Sequence, residues 1–270
     1  MRPVPMAPVL NDKPRSLTLT MLGSGTSMGV PSLGCGCRVC QSTDPHDNRT
    51  RPSILLTVNG RNLVIDTSPD FRQQALRSGV KRLDAVLFTH GHADHILGLD
   101  DIRPFNLKQQ ADLPVYAMRE TLVVLMRTFS YIFDDAPTQS TIPGVDLHEI
   151  DGPFPLFGVE IQPVPAWHGQ MRVLGFRFGG AAYLTDFSSI PETSLLLLRG
   201  LDDLILDALR DTPHPMHSTV AQSLALVRQL EPRRAWFTHI SHDLPHEETN
   251  ARLPGNVRLG FDGLSFEVQL

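Results

Sequence analysis

The run THGHADH, residues 89–95, holds the residues of this sequence that are best suited to chemistry. Three of the chain's eleven histidines, His90, His92 and His95, lie in it together with Asp94. Imidazole nitrogens and carboxylate oxygens are ligands that suit zinc, manganese and iron. His90 and His92, two residues apart, can reach one metal ion from an extended turn, and Asp94 and His95 can reach a second ion from the next bend. The run predicts a metal site, against the alternative of a polar surface turn.

Similar residues end short apolar runs elsewhere in the chain. The runs NLVID, AVLFTH, PVPAWH, AAYLTD and AWFTH end at Asp66, His90, His168, Asp186 and His239. Functional groups are often carried where a rigid scaffold element gives way to a loop. Five such endings predict that these strand ends converge on a single site. Taken singly, His168 and His239 are better explained as turn histidines, and Asp186 as a cap.

A second cluster consists of the chain's three cysteines, in the glycine-rich stretch GSGTSMGVPSLGCGCRVC. Cys35, Cys37 and Cys40 cannot make an all-paired disulfide framework, which favours a reducing compartment and metal or thiol chemistry. Their spacing fits a tetrahedral structural zinc that lacks one ligand. His46 and His242 are both candidates for that ligand. A redox thiol and plain buried cysteines are the alternatives.

Short apolar runs and helical patterns must position these groups. Strands are predicted at Leu17–Leu22, Ser53–Val58, Asn62–Ile65, Ala85–Phe88, Val159–Pro165, Val173–Phe178, Ala181–Leu184, Leu204–Leu206, Ala235–Phe237 and Leu264–Val268. Helices are predicted at Asp70–Ser78, Arg119–Phe129, Pro191–Arg199 and Ser218–Leu230, the last with Ser218 as its N-cap. This mixture favours an α/β domain whose sheets are covered by helices. We expect residues 1–16 to form a loose extension and residues 17–270 to form one domain.

Composition and charge limit the classes of protein to consider. The 270 residues are 41% hydrophobic and 20% charged, as in ordinary globular proteins. No apolar stretch approaches the length of about 18 residues that a membrane span needs. A formal net charge of −5 without a long basic run argues against nonspecific binding to nucleic acid. We expect a cytoplasmic protein without membrane or nucleic-acid partners, and a homodimer is left open.

The motif THGHADH resembles the His-x-His-x-Asp-His motif of the metallo-β-lactamase superfamily, and the later strand-end residues resemble its remaining ligands in the expected order. The resemblance implies an αβ/βα sandwich of two packed mixed β-sheets flanked by helices, with two divalent metals, Zn²⁺ or Mn²⁺, at one edge. It implies three ligands for each metal: His90, His92 and His168 for the first, and Asp94, His95 and His239 for the second. Asp186 would bridge the metals, and Asp66 would brace the metal-binding loop.

The cysteine stretch resembles one branch of the superfamily, the phosphoribosyl cyclic phosphodiesterases of the carbon–phosphorus lyase pathway. These enzymes combine such cysteines with a histidine three positions after the last active-site histidine, which here is His242. The resemblance implies that Cys35, Cys37, Cys40 and His242 hold one structural Zn²⁺. The histidines without such a context are expected to be solvent-exposed loop residues: His46, His148 and His246.

A candidate general acid precedes the last predicted helix. In the phosphodiesterase branches a histidine followed by serine contacts the scissile phosphate and helps to protonate the leaving alkoxide, and His217 resembles it. Imidazole can supply a proton near neutral pH, and a helix N-terminus favours an anion. His214 is the rival candidate for this role. The remaining alternative is that both residues are ordinary loop histidines. Asp94 counts with His217 as a catalytic residue.

Together the resemblances imply a dinuclear metal-dependent phosphodiesterase, in which hydroxide held by both metals attacks a small cyclic or linear phosphodiester. One alternative is a transfer-RNA 3′-processing endonuclease, but those enzymes usually carry a long substrate-gripping arm, and the stretch from residue 186 to 217 is short and not basic. The other is a non-catalytic carrier of the quinone-cofactor biosynthesis type. That protein's catalytic ligand set is incomplete, whereas the set of seven is complete here.

Overall fold

The computed structural model describes residues 14–134 and 140–270. Within these ranges the strands are β1 Ser16–Gly23, β2 Ser53–Val58, β3 Arg61–Ile65, β4 Ala85–Leu87, β5 Leu113–Ala117, β6 Val145–Glu149, β7 Phe154–Leu156, β8 Val159–His168, β9 Met171–Phe178, β10 Ala181–Leu184, β11 Asp203–Asp207, β12 Arg234–Thr238, β13 Val257–Leu259 and β14 Ser265–Gln269. The helices are α1 Phe71–Arg77, α2 Ala93–Ile96, α3 Arg103–Gln109, α4 Arg119–Thr128, α5 Ser130–Phe133, α6 Glu192–Leu197, α7 Val220–Leu230 and α8 His246–Arg252. Short 3₁₀ turns span Pro45–Asp47 and Leu99–Ile102. Most of the expected N-terminal extension, residues 1–13, lies outside the described residues.

The strands form two seven-stranded mixed sheets, in the orders β14-β1-β2-β3-β4-β5-β6 and β13-β12-β11-β10-β9-β8-β7. Strands β3 to β6 run parallel to one another, as do β10 to β13. The central strands β4, β10 and β11 are fully buried and largely apolar, as expected for parallel strands covered on both faces. Parallel neighbours end at the same edge of a sheet, so the residues that follow these strands are brought together.

Three apolar layers hold the sheets and helices together. Leu56 and Phe176 belong to the layer between the two sheets. Leu125 of α4 lies in the layer that covers the first sheet, and Val227 of α7 and Leu253 lie in the layer over the second. Each such side chain contributes about 1.5–3 kcal/mol on full burial. The predicted αβ/βα sandwich is confirmed.

Some local predictions were wrong. The N-cap of α7 is Thr219 rather than Ser218, because the Thr219 hydroxyl and the Gln222 side chain form a reciprocal capping box. Strands β5, β6, β7 and β13 and helices α2, α3, α5 and α8 were not predicted. No helix in the described part of the chain is long and apolar enough to cross a membrane.

Two of the three histidines expected in exposed loops lie elsewhere. His148 is part-buried within β6, and His246 is the first residue of α8 and only 6% exposed. The imidazole of His246 stacks on that of His46, with ring centroids 4.6 Å apart. Burial between neighbouring elements, which a polar local sequence does not reveal, accounts for the error.

Candidate metal centre

The strand ends that were predicted to converge do so at one edge of the sandwich. Asp66 follows β3, His90 comes three residues after the end of β4, and His168 ends β8, while Asp186 and His239 follow β10 and β12. Asp66, Asp186 and His239 have φ angles of 65°, 52° and 58°. This left-handed region is sparsely occupied by residues other than glycine and is common at functional sites. Here it turns the chain sharply out of three strands.

The THGHADH loop is packed tightly against the loop that contains Asp66. Asp94 and His95 lie in the short helix α2, and the chain then turns at Gly98, whose N–H donates to the Thr67 carbonyl at 2.9 Å. A Cβ atom on Gly98 would lie 2.1 Å from the Ser68 carbonyl oxygen. Only glycine permits this approach, so Gly98 helps to fix the position of the two α2 residues.

Hydrogen bonds set the orientation of the histidine rings. The Thr89 hydroxyl donates to Asp66, so it accepts from Nδ1 of His90 at 3.0 Å. His168 donates from Nδ1 to the Met216 carbonyl at 2.8 Å. Such outer contacts fix the tautomer and leave Nε2 with a free electron pair.

Asp66 braces the loop through three hydrogen bonds. Its carboxylate accepts from the Thr89 N–H at 2.8 Å, from the Thr89 hydroxyl at 2.8 Å and from His95 Nδ1 at 2.7 Å. The side chains of Asp66 and His95 are fully buried. Asp66 therefore holds both the start of the loop and one of its histidines.

The predicted ligands assemble into two adjacent groups. In the first group, His90, His92 and His168 place one ligand atom each within 4.8 Å of one another. Burial lowers the pKa of His168 to about 4 and that of His90 well below its ordinary value. Both imidazoles are therefore neutral at physiological pH, the state that binds a metal.

The second group contains both carboxylates. Asp94, His95, Asp186 and His239 also place ligand atoms within 4.8 Å of one another. His95 Nε2 lies 3.3 Å from Asp186 Oδ1, and His239 Nε2 lies 3.3 Å from Asp186 Oδ2. Asp186 is also close to His168, so it lies between the two groups.

When no cation is bound, protons on the histidines balance the negative charge of the buried carboxylates. Burial opposes a charge on His239, but the carboxylates of Asp186, Asp94 and Asp207 together outweigh it and raise the pKa of His239 to about 9. Burial likewise opposes the charge on His95, yet Asp186 and Asp66 raise its pKa well above the ordinary value. A metal ion would replace these protons, as ligands must be deprotonated to bind.

The donor set fits divalent metal ions. In the part of the chain that the structure describes, Nε2 of His90, His95 and His239 are buried without a hydrogen bond. Buried polar atoms without a partner are rare in folded proteins and need an explanation. Converging imidazole nitrogens and carboxylate oxygens supply one, because they are the usual ligands of Zn²⁺ and Mn²⁺. The assignment of ligands to each metal stays a prediction.

The three cysteines meet His242 rather than His46. Their Sγ atoms lie 3.2, 3.7 and 3.3 Å from His242 Nδ1 for Cys35, Cys37 and Cys40. In a tetrahedral site, zinc–sulfur and zinc–nitrogen bond lengths give a sulfur-to-nitrogen separation of about 3.5 Å. A backbone N–H from Cys40 lowers the pKa of Cys37 to about 7, which favours a thiolate. This geometry fits the predicted structural zinc.

His217 faces the two groups of predicted metal ligands, and His214 contacts His217. The His217 ring centroid is 4.6 Å from that of His168 and 4.5 Å from that of His239. The His214 ring is 5.0 Å from His217, and its Nδ1 accepts the Met216 N–H at 3.2 Å. The geometry therefore favours His217 over His214 as a proton donor at this site.

Sequence reasoning missed Asp207, the partner of His217. Asp207 is fully buried at the end of β11 and accepts from His217 Nδ1 at 2.9 Å. Its run, LILD, ends on an acid in the same way as NLVID, so the pattern of strand endings could have identified it. The carboxylate fixes the orientation of the ring.

Comparison with known proteins gives consistent family relationships. The profile described as "Beta-lactamase superfamily domain" matches residues 61–240. The chain is 31% identical, over an alignment 306 positions long, to coenzyme PQQ synthesis protein B of Methylorubrum extorquens, covering 93% of this chain and 99% of that protein. It is 40% identical over 249 residues to the octanoyltransferase of Porphyromonas gingivalis, but it spans only 50% of that relative's length.

Two solved structures extend the comparison. A crystal structure of a diphosphatase from the PhnP family is 52% identical, with a TM-score of 0.88, and the match covers 94% of this chain and 99% of that one. The short form of human tRNase Z is 18% identical with a TM-score of 0.70, covering 94% and 100%. The second likeness extends to the fold alone.

Proposed function

Because the chain belongs to the beta-lactamase superfamily, we propose that it is a metal-dependent phosphodiesterase that acts on small cyclic or linear phosphodiesters. The resemblance to this superfamily and to its PhnP-like branch is confirmed by the profile and by the 52% identical diphosphatase. These relationships support a metal-dependent hydrolase. The phosphodiester as substrate is our own inference from the site.

The observation that carries the proposal is the position of His217 beside both ligand groups. Hydrolysis of an alkyl phosphodiester must expel an alkoxide, which is a poor leaving group without a proton. Nδ1 of His217 is held by Asp207, and no residue in the described ranges hydrogen-bonds to Nε2. Nε2 is therefore the atom that delivers the proton to the leaving oxygen. The buried carboxylate of Asp207 keeps the ring in place during this transfer.

The metal ligands are assigned as the family resemblance implies. His90, His92 and His168 would hold one ion, and Asp94, His95 and His239 the other, with Asp186 between them. Two divalent cations held there would supply an ionised water and would neutralise charge on the phosphoryl oxygens. The two carboxylates among the seven ligands neutralise only part of the charge of two divalent cations. The remaining positive charge suits the single negative charge of a phosphodiester.

A disubstituted diphosphate is the second candidate substrate, favoured by the 52% identical diphosphatase. Each phosphorus of such a molecule bears two bridging oxygens, as in a phosphodiester. Its leaving group is a phosphate, which departs more readily than an alkoxide. We therefore expect His217 to contribute less to cleavage of a diphosphate than to cleavage of an alkyl diester.

Folded RNA is a weaker candidate. Affinity for RNA rests largely on several phosphate contacts from basic groups, and the chain has a net charge of −5 and no basic arm. The alternative of a non-catalytic carrier rests on the similarity to the 31% identical PQQ synthesis protein. We favour an enzyme over a carrier because the seven ligands and the His217–Asp207 pair are assembled together.

A substrate panel tests the proposal. Manganese- and zinc-loaded protein is offered small alkyl phosphodiesters, disubstituted diphosphates, phosphomonoesters, thioesters and precursor transfer RNA. We expect turnover of the diesters, little action on monoesters, and none by an Asp186→Ala control purified in the same way. Efficient cleavage of precursor transfer RNA beside weak diester activity would favour the endonuclease instead. Activity on none of them would favour the carrier.

A further inference from the structure

A groove of about 470 Å³ lies next to the metal centre at the same edge of the sandwich. One wall is formed by residues 118–120 and 149–152, which follow the parallel strands β5 and β6. The other wall is the β8–β9 hairpin, and we call this cavity the hairpin groove. Leu174 in that wall donates its N–H to the carbonyl of Thr89, the residue before His90, at 2.9 Å. The groove therefore adjoins the metal-binding loop.

The register of the hairpin extends the groove wall towards His168. Pro165 pairs with Leu174, and Trp167 pairs with Arg172. Residues directly opposite each other in an antiparallel pair lie on one face, and alternate residues share that face. Pro165, Leu174 and Arg172 line the groove, so Trp167 belongs to the same face. Its side chain, in a residue 42% exposed, offers an apolar surface one residue from His168.

The exposed edge of β8 is unsuited to a peptide ligand. Strand β7 pairs with β8 only at residues 159–161. Beyond that point, Pro163 and Pro165 lie in the groove wall and have no N–H to donate to an added strand. The N–H of Trp167 is already bound to the Ser189 carbonyl at 2.9 Å. A small molecule, rather than an extended chain, fits this edge.

The charges of the lining indicate the chemistry of the ligand. Arg119 and Arg172 make no ion pair or hydrogen bond with the residues that the structure describes. Three carboxylates share the groove with them, Glu120, Glu149 and Asp151, so the lining has a net charge of −1. This balance disfavours a second phosphate group. Carboxylates accept hydrogen bonds from hydroxyls and guanidinium groups donate to them, which together suit an uncharged polyol.

We propose that the hairpin groove binds a neutral, hydroxyl-rich substituent on the non-scissile side of the phosphodiester, with glycerol as the simplest case. This inference rests on the proposed function, because it assumes that the scissile phosphate lies at the two ligand groups. The groove then selects among diesters: it favours a polyol substituent and rejects one that carries another phosphate.

Three p-nitrophenyl phosphodiesters test the proposal, because they share a leaving group and differ only in the second substituent. That substituent is methyl, glycerol or glycerol 3-phosphate. We expect the lowest KM for the glycerol ester and the highest for the ester with the additional phosphate. The double variant Glu149→Gln with Asp151→Asn removes two negative charges, which changes the net charge of the lining to +1. Its KM should rise about tenfold for the glycerol ester, as charged hydrogen-bond acceptors are lost, and should fall for the phosphorylated ester.

The matched control is Glu267→Gln in β14, the opposite edge strand of the same sheet, which should leave all three KM values unchanged. A merely structural role of Glu149 and Asp151 would shift the glycerol and phosphorylated esters in the same direction, and that result would overturn the proposal. If none of the esters is hydrolysed, the proposed function fails. Calorimetric titration of the uncleaved esters would then still decide whether the groove prefers glycerol and whether the double variant reverses that preference.

Discussion

At the residue scale, the pairing of His217 with Asp207 separates two kinds of contribution to catalysis. In the proposed mechanism the ligands would act through a bound cation, whereas His217 would reach the substrate itself. Asp207 has one carboxylate oxygen on His217 Nδ1, and its other oxygen, Oδ1, is buried without a hydrogen bond in the described chain. An acid kept buried with an unmet acceptor indicates that its position serves the histidine more than stability.

The His217→Ala variant tests this division. It should retain its metal content and slow hydrolysis of alkyl diesters by about 10²–10⁴-fold, because the leaving alkoxide loses its proton donor. The loss should shrink for nitrophenyl esters, since nitrophenolate departs without protonation. Steady-state kinetics on both ester types, with elemental analysis, measure this. An equal loss on both would assign His217 to binding or structure.

Site residues were predictable where the motif is local or where an apolar run ends on a ligand. Both signals identified the residues that the structure brings together, from His90 to His239. The positive φ angles at Asp66, Asp186 and His239 carry no signal of their own, because these residue types tolerate the conformation without requiring it. Asp207 also ends an apolar run, LILD, but its role could not be predicted from that position, because it depends on the contact with His217, ten residues further along the chain.

At the scale of elements, the loop with the cysteines is fixed to the active-site edge at two places. Thr26 donates its N–H to the Ile240 carbonyl at 3.0 Å, and Ile240 donates to the Ser24 carbonyl at 2.9 Å. Cys35, Cys37 and Cys40 meet His242, only three residues beyond His239. A zinc at the cysteines would therefore stabilise the turn that carries a ligand of the other centre.

Replacing Cys37 and Cys40 by serine should remove about one zinc per chain and lower the melting temperature by about 10 °C, because structural zinc contributes directly to folding. Elemental analysis and calorimetry measure the two effects. Ser42→Ala is a suitable control, since Ser42 lies beside the cysteines without belonging to the cysteine group. Full zinc content and an unchanged melting temperature in the double variant would show that the cysteines hold no structural metal.

Elements were predictable where burial dominates their sequence. Strand β2 and strand β10 match the predicted ranges because their residues are nearly all buried. Strand β6, VDLHE, and helix α8, HEETNAR, were missed because both are rich in polar residues. Their conformations depend on pairing with β5 and on packing near β13, and such tertiary contacts override weak local preference.

At the scale of the whole molecule, a buried cluster joins the two halves of the sandwich. Arg49, which precedes β2 of the first sheet, donates to Ser24 Oγ at 2.9 Å and to His246 Nδ1 at 3.1 Å. His246 begins α8, which packs on the second sheet, and its N–H donates to Asp47 at 2.8 Å. The cluster therefore depends on a neutral imidazole at His246, since a proton there would set two positive charges side by side.

This cluster predicts how stability depends on pH. Burial, together with Arg49 and His46, lowers the pKa of His246 to about 4, whereas an unfolded histidine titrates near 6.5. Between these values the unfolded chain binds more protons than the folded one, so the contribution of His246 to stability is complete above about pH 6.5 and is lost as the pH falls towards 4.

The melting temperature of His246→Gln should therefore fall less than that of the unmodified protein between about pH 7 and pH 4.5. Other groups that titrate in this range, the metal ligands included, are common to both proteins and cancel in the comparison. His148→Gln is the matched control, because His148 is part-buried in β6 and, among the described residues, hydrogen-bonds to the exposed Asp146 and not to a buried arginine. It should keep the slope of the unmodified protein, and the same slope in His246→Gln would contradict the prediction.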